Sequence, residues 1–160
     1  MGSSGARVAG LNHVSVTVRD MERSLAFWRD GLGLPLTGRG VVEREHLDRI
    51  VGLEQTVIEW AELALPRGMI ELFRYVRPPG ADLTRPHRPN DPGSVHICLE
   101  VVGVDAILAS LKQRGYASRS PSAVTIPDGD WAGWRDVYVE SPDGVIVELS
   151  EGPGVAAAQA

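Results

Sequence analysis

From Leu11 to Val18 apolar and polar residues alternate. Val14, Val16 and Val18 share one face and His13, Ser15 and Thr17 the other, which is the period-two signature of a half-buried strand. Asp20 then predicts a helix start, with Leu25, Phe27 and Trp28 on the apolar side and Gly31 and Gly33 to end it. Leu34 to Val42 follows as a less regular strand, and a polar stretch with Glu43, Glu45, His46 and Asp48 reads as a loop. Gln55 to Leu65 and Met69 to Tyr75 read as two strands of a hairpin turned at Pro66-Arg67-Gly68. Between Arg77 and Gly93 the periodicity stops and five of the 11 prolines crowd in, so residues 77–93 read as a linker. The pattern then restarts. Ser94 to Val102 alternates, with Val95, Ile97, Leu99 and Val101 opposite His96, Cys98 and Glu100. Asp105 to Arg114 reads as a helix with Ile107, Leu108 and Leu111 inward, closed by Gly115. A short strand at Val124 to Ile126 and a hairpin, Arg135 to Glu140 and Val145 to Ser150 around Ser141-Pro142-Asp143-Gly144, complete the chain.

The two halves are copies of one plan: strand, helix, then three strands. His13 precedes Gly33 by 20 residues and His96 precedes Gly115 by 19. Pro66-Arg67-Gly68-Met69-Ile70-Glu71-Leu72 is echoed by Pro142-Asp143-Gly144-Val145-Ile146-Val147-Glu148-Leu149. The period is 83 residues between the histidines and 77 between the glutamates. Two copies at that spacing indicate a duplicated module rather than a solenoid. The expected organisation is a disordered start over 1–8, one domain over 9–151 (module 9–76, linker 77–93, module 94–151) and a flexible tail over 152–160.

Composition narrows the function. At 160 residues, 43% hydrophobic and 23% charged, the chain has the makings of an ordinary single core. The net charge of −5 argues against nucleic acid and anionic membranes as partners, since both demand a basic face. The one cysteine, Cys98, excludes an intrachain disulfide and a multi-cysteine zinc site. With no signal-peptide pattern and no membrane-length apolar run, the expected location is the cytoplasm.

What remains is a set of four residues. His13 and His96 open the first strand of each half, and Glu71 and Glu148 interrupt the last. A carboxylate in mid-strand among apolar neighbours costs several kcal/mol unless it is paired or bound to a metal. Taken singly, each of the four reads as well as an ordinary strand residue. Their recurrence at equivalent positions of both copies is what independent surface residues would not produce. Two imidazoles and two carboxylates form a mixed nitrogen and oxygen donor set for a divalent ion such as Ni²⁺, Co²⁺, Mn²⁺, Zn²⁺ or Fe²⁺.

These motifs resemble the vicinal oxygen chelate superfamily, which includes glyoxalase I, extradiol dioxygenases, methylmalonyl-CoA epimerase and the fosfomycin- and bleomycin-resistance proteins. The resemblance runs over residues 9 to 151. It is carried by Leu11-Asn12-His13-Val14-Ser15-Val16, Phe27-Trp28-Arg29-Asp30-Gly31-Leu32-Gly33-Leu34, Met69-Ile70-Glu71-Leu72-Phe73, Val95-His96-Ile97 and Tyr138 through Leu149. It implies an α+β fold of two tandem βαβββ modules whose sheets curl around a metal-binding cavity, in a homodimer. It implies His13, Glu71, His96 and Glu148 as metal ligands. Keeping all four sets the chain apart from the bleomycin-sequestering branch. A glutamate at position 71 is most similar to the glyoxalase and epimerase side.

That side implies proton transfer next to a carbonyl through a metal-stabilised enediolate, by a lyase or isomerase acting on a small oxygenated metabolite, with Glu148 or Glu71 as base. A non-haem Fe(II) dioxygenase using His13, His96 and Glu148 is the second reading. A protein that sequesters a compound between two subunits is the third. Phe73, Cys98, Trp131, Trp134, Arg135 and Tyr138 are expected around the substrate, with Trp60 as a further wall. Arg85 and Arg88 are alternative clamps for an anionic group. Glu43, Glu45 and His46 stand where an epimerase-like second base would sit, and Cys98 is expected to be a small buried filler beside His96.

Overall fold

The alternation and the two amphipathic helices give two copies of one arrangement. The computed structural model describes residues 5–81 and 88–154, so residues 1–4 of the expected disordered start, 82–87 of the expected linker and 155–160 of the expected tail lie outside the described residues. In chain order the elements are β1 (Val14–Thr17), α1 (Met21–Trp28), β2 (Leu36–Glu43), α2 (Glu45–Val51), β3 (Val57–Ala64), β4 (Met69–Arg77), β5 (His96–Glu100), α3 (Val104–Gln113), β6 (Val124–Thr125), β7 (Arg135–Glu140) and β8 (Ile146–Glu151). The strands form two four-stranded mixed sheets, ordered β1-β4-β3-β2 and β5-β8-β7-β6. In each, the first strand runs parallel to the last, and the remaining pairs are antiparallel. This is the α+β architecture of paired βαβββ modules that the sequence predicts. Among the described residues no helix is long and apolar enough to cross a membrane.

One face of each sheet is covered by helix. Val16, Ile70, Leu72, Ala61 and Leu63 on the first sheet, and Leu99, Leu149, Val147, Val137 and Val139 on the second, join α1 and α3 in one apolar cluster. Asp20 starts α1 as expected, accepting from the Arg23 N–H at 3.0 Å, a cap worth about 1 kcal/mol. Phe27 and Trp28 are wholly buried. Helix α3 is capped from a distance: Glu151 of β8 accepts from the Gly103 and Val104 N–H groups. Gly115 follows α3 at φ +86°, a conformation that L side chains rarely adopt.

The expected loop after β2 is different. Glu45–Val51 forms a seven-residue helix with no buried residue. Its apolar Leu47, Ile50 and Val51 stay unburied, and polar bonds hold it: Asp48 in mid-helix accepts the Gln55 and Thr56 N–H groups at 2.9 and 2.7 Å, and Gly52 closes it in the left-handed region.

The modules meet along their helices. The Phe27 ring packs edge-on against Tyr116, centroids 4.9 Å apart. A Cβ on Gly31 would lie 2.8 Å from Leu111 Cδ2 of the other module and 2.6 Å from the Phe27 carbonyl of its own. At the rim, Asp143 of the β7–β8 turn reaches into the first module, 2.6 Å from Ser24 Oγ and 3.2 Å from the Arg19 N–H. Burial pushes the Asp143 carboxyl above its ordinary value, against the hydrogen bond from Ser24.

Two expectations follow from this junction. Gly31→Ala should lower stability by about 1–3 kcal/mol through overpacking, read as a fall in the denaturation midpoint at constant m-value. Because the folded pKa of Asp143 is raised, the folded chain holds that proton above the unfolded value of 3.8. Its contribution to stability is therefore fully present below that pH and declines as pH rises through the raised value. The stability of the native chain relative to Asp143→Asn should fall as pH rises above 3.8; a difference that is flat or rises with pH contradicts the junction chemistry.

Candidate metal and substrate site

Strand parity sends the helix-facing rows into the core and every second residue to the opposite, open face. In the first sheet the open face carries Ser15 beside Glu71 and Thr17 beside Phe73. It also carries Glu62 beside Glu71 and Trp60 beside Phe73. In the second it carries Cys98 beside Glu148 and Glu100 beside Ser150, with Tyr138 beside Glu148 and Asp136 beside Ser150.

The four residues singled out by the duplication form two matched pairs on these faces. His13 Nε2 lies 3.1 Å from Glu71 Oε2, and His96 Nε2 lies 3.1 Å from Glu148 Oε2. The side-chain exposures also match, 41% and 16% in the first pair, 47% and 17% in the second. Asn12 Oδ1 stands 2.8 Å from His13 Nδ1. With that nitrogen donating, the Nε2 lone pair is left for a ligand role. Two donors bound at about 2.1 Å and at right angles stand about 3.0 Å apart, so each pair has the spacing of neighbouring ligands on one ion. The donor chemistry and the spacing therefore fit a divalent ion. Within one chain the two pairs stay separate: among the described residues no group of three or more His, Cys, Asp or Glu side chains is placed to hold an ion together.

The neighbours of the second pair are electrostatically coupled to it. Partial desolvation by its strand neighbours, then the Glu148 charge, pushes the Cys98 thiol up to about 11, and the same two causes raise Tyr138, with Asp136 adding to both. The face is thus negative. His96 and Tyr138 lie ring against ring at 5.3 Å.

Other expected site residues are placed unevenly. Phe73 and Tyr138 stand on the open faces. Cys98 is exposed there rather than a buried filler, because its strand position points away from the helix layer. Arg135 is not on the open face. It has the parity of Val137 and Val139 and is engaged by Asp105 at 2.8 Å and Glu151 at 3.4 Å, which ties β7 to the start of α3. Trp131 and Trp134 form an edge-on pair, 4.9 Å between centroids, in the β6–β7 loop, with Trp131 59% exposed. Arg88 pairs with Asp91 at 2.9 Å, and Arg85 lies outside the described residues.

Glu43 and Glu45 line a separate hollow of about 480 Å³ with Asp48, Gln55, Thr56 and Arg77. Glu43 is bonded there to Arg77, six residues beyond Glu71 on β4, roughly 20 Å along the strand. His46, on α2, does not line that hollow. The register places Glu62 across from Glu71, and Asp136 and Glu100 on either side of Ser150, two residues beyond Glu148 on β8; sequence reading did not place Glu62, Asp136 or Glu100 beside the pairs, because only strand register brings them there.

A family model described as the Glyoxalase/Bleomycin resistance protein/Dioxygenase superfamily matches residues 10–149. The chain is 30% identical over 146 residues to a 2-epi-5-epi-valiolone epimerase from Actinomyces sp, covering 87% of this chain and 77% of that protein. It is 27% identical over 150 residues to the mitochondrial methylmalonyl-CoA epimerase of Mus musculus, covering 91% and 74%. Among solved structures, a glyoxalase family protein from Bacillus cereus superposes with a TM-score of 0.81 at 24% identity, covering 94% of this chain and 99% of that one. A glyoxylase/bleomycin resistance protein/dioxygenase domain from Frankia sp. superposes with a TM-score of 0.64 at 23% identity, covering 91% and 99%.

The coupling between Cys98 and Glu148 gives a direct chemical readout. At neutral pH Cys98 should alkylate slowly, since little thiolate forms at a pKa of about 11. Glu148→Gln removes the charge and should speed iodoacetamide labelling several-fold; an unchanged rate would show that the carboxylate does not act on the thiol.

Proposed function

The chain belongs to the glyoxalase/bleomycin resistance protein/dioxygenase superfamily, and from that premise we propose that it is a divalent-metal-dependent isomerase of the epimerase type. Its substrate is then a small oxygenated metabolite that exchanges a proton on the carbon next to a carbonyl. The observation that carries this reading is the matched pair of His–Glu contacts, both 3.1 Å, one on each module. The two named relatives, both epimerases, support it over the lyase and dioxygenase readings.

A bound divalent ion supplies Lewis acidity that makes the carbon next to a coordinated carbonyl more acidic. The chain's own residues do the rest. His13 and His96 would hold the ion through Nε2, with Glu71 and Glu148 as oxygen donors. Inverting a carbon centre requires one group to take the proton from one side and another to return it from the other. Duplication provides two equivalent carboxylates, one from each module, and Glu71 and Glu148 would serve as acid and base, each acting only while its carboxylate is released from the ion and the other stays bound. The apolar neighbours Phe73 and Trp60 would exclude water around the reacting carbon.

One pair offers two donors, fewer than the three or four protein ligands that hold a resident ion. We infer that a facing copy of the chain supplies the second pair, so that the Glu71 half of one protomer meets the Glu148 half of its partner in a homodimer.

This arrangement makes a specific prediction. After loading with Mn²⁺ or Co²⁺, His13→Ala and His96→Ala should each lose bound metal by elemental analysis while circular dichroism stays native. Refolding the two variants as a mixture should restore metal, because in a mixed dimer one of the two composite sites is intact. Restored metal supports the shared site. Loss that mixing does not repair overturns the shared site, and metal content unaffected by either substitution refutes the ligand assignment. Glu148→Gln should lower turnover by about 10²–10⁴.

A further inference from the structure

The two open faces carry different neighbours around their His–Glu pairs. On the second sheet the row after Tyr138 and Glu148 is Asp136 beside Ser150. On the first, the row after Glu62 and Glu71 is Trp60 beside Phe73, and the next is Ile58 beside Tyr75, with Val42 of β2 facing Ile58. These five side chains make an apolar patch that lies outside the helix-facing cluster. Ile58 is 2% exposed within it, while Trp60, Phe73 and Tyr75 stay half-buried. Rows on one face follow each other at roughly 7 Å. A ring resting on Trp60 and Phe73 therefore keeps its substituent within reach of an ion held at Glu71.

Two glycines of β2 fix where the indole lies. A Cβ on Gly38 would come 2.9 Å from Trp60 Cζ3 and 3.0 Å from Glu62 Oε2. A Cβ on Gly40, directly across from Trp60, would come 3.1 Å from Cζ2 and 3.2 Å from Nε1. Neither glycine has a positive φ, so backbone conformation does not call for glycine at either position. Room for the ring does, since a glycine inside a strand lets another group approach the backbone closely. The indole leans over β2, away from Phe73 on β4.

Trp60 and Phe73 have no aromatic partner. The ring pairs among the described residues leave out Trp60, Phe73 and Tyr75. Trp60 and Phe73 face each other across adjacent strands without stacking, and each keeps ring surface for a third group. The corresponding row of the second module satisfies itself, the Ser150 hydroxyl donating to Asp136 at 2.6 Å. It carries no aromatic group, so the aromatic row belongs to the first module and not to the repeated plan. Half-buried aromatic side chains beside a polar site recognise a ligand by area and by ring geometry. A flat ring gains offset or edge-to-face contacts that an aliphatic group of similar size does not make.

We propose that the substrate carries a flat aromatic ring at or next to the carbon that exchanges its proton. Trp60 and Phe73 receive that ring while the oxygen-bearing end reaches the ion. Gly38 and Gly40 are positioning residues, acting through the indole. The proposal rests on the reading above that the His–Glu pairs hold a divalent ion.

The test is calorimetric binding to the Mn²⁺-loaded full chain. The probes are lactate, mandelate and hexahydromandelate, 2-hydroxy acids that offer a metal the same two oxygens and differ in carrying a methyl, a phenyl or a cyclohexyl group. Mandelate should bind about tenfold tighter than lactate and about threefold tighter than hexahydromandelate. Trp60→Leu should bring the mandelate-to-lactate ratio close to one with bound Mn²⁺ unchanged. Gly40→Ala, which only displaces the indole, should move the ratio the same way by a smaller factor, and it decides the matter if Trp60→Leu does not fold. The proposal is overturned if mandelate binds no tighter than lactate, if hexahydromandelate equals or exceeds mandelate, if none of the three acids binds, or if the variants, folded by circular dichroism, keep the native ratio. A native chain that takes up no Mn²⁺ overturns the metal-site reading, and the substrate proposal falls with it; elemental analysis of the same sample tells this failure from the others.

Discussion

The burial of one face of each sheet against the helices is the constraint from which the rest of the molecule follows. Ile70 and Leu72 in one module, Val147 and Leu149 in the other, are at or near zero exposure beneath α1 and α3. Once those residues are committed inward, strand parity leaves no choice for their neighbours. Glu71 and Glu148, each flanked by two fully buried residues, have to point the other way. A slip of one residue in β4 or β8 would put a carboxylate into the apolar layer, at a cost of several kcal/mol. The register that keeps the core dry is the same register that presents the site.

The site accordingly inherits the symmetry of the core. Each module's first strand runs parallel to its last, which brings a histidine at the head of one strand beside a glutamate in the middle of the other. The result is two pairs with the same 3.1 Å contact and similar exposure. Duplicated backbone places the same two side-chain types at the same positions of both sheets. Where the two modules differ, at Trp60 against Asp136 and at Phe73 against Ser150, the residues stand on the open faces rather than in the helix-facing rows.

Much of this was legible in the sequence. The alternation at Val14, Val16 and Val18, the Asp20 cap, Gly115 behind α3 and the echo between Met69–Leu72 and Val145–Leu149 fixed the fold class and singled out the four donor residues. The elements missed have physical explanations. Helix α2 is seven residues long and its apolar Leu47, Ile50 and Val51 span barely one turn, too little for periodicity to tell it from a loop; it is held by the Asp48 carboxylate and by a left-handed Gly52. Glu62 shares β3 with Glu59, which lies on the opposite face between Arg39 and Arg74. A strand with a carboxylate on each face does not announce which one meets the site. Arg135 looked like a substrate clamp because an arginine next to a strand is equally compatible with either face. Its ion pairs with Asp105 and Glu151 settle it on the helix side.

The sequence alone determined which residues alternate, and with them the module, its duplication and the identity of the paired histidines and glutamates. These are local patterns, set by the two-residue period of a strand and the turn of a helix. Only the tertiary structure decided which residues stand opposite one another across strands and how far apart the two modules hold their pairs. Cross-strand neighbours are set by register and by long-range packing at Phe27, Gly31, Tyr116 and Asp143. No short-range pattern in the chain encodes a distance between two faces that its own core keeps separate.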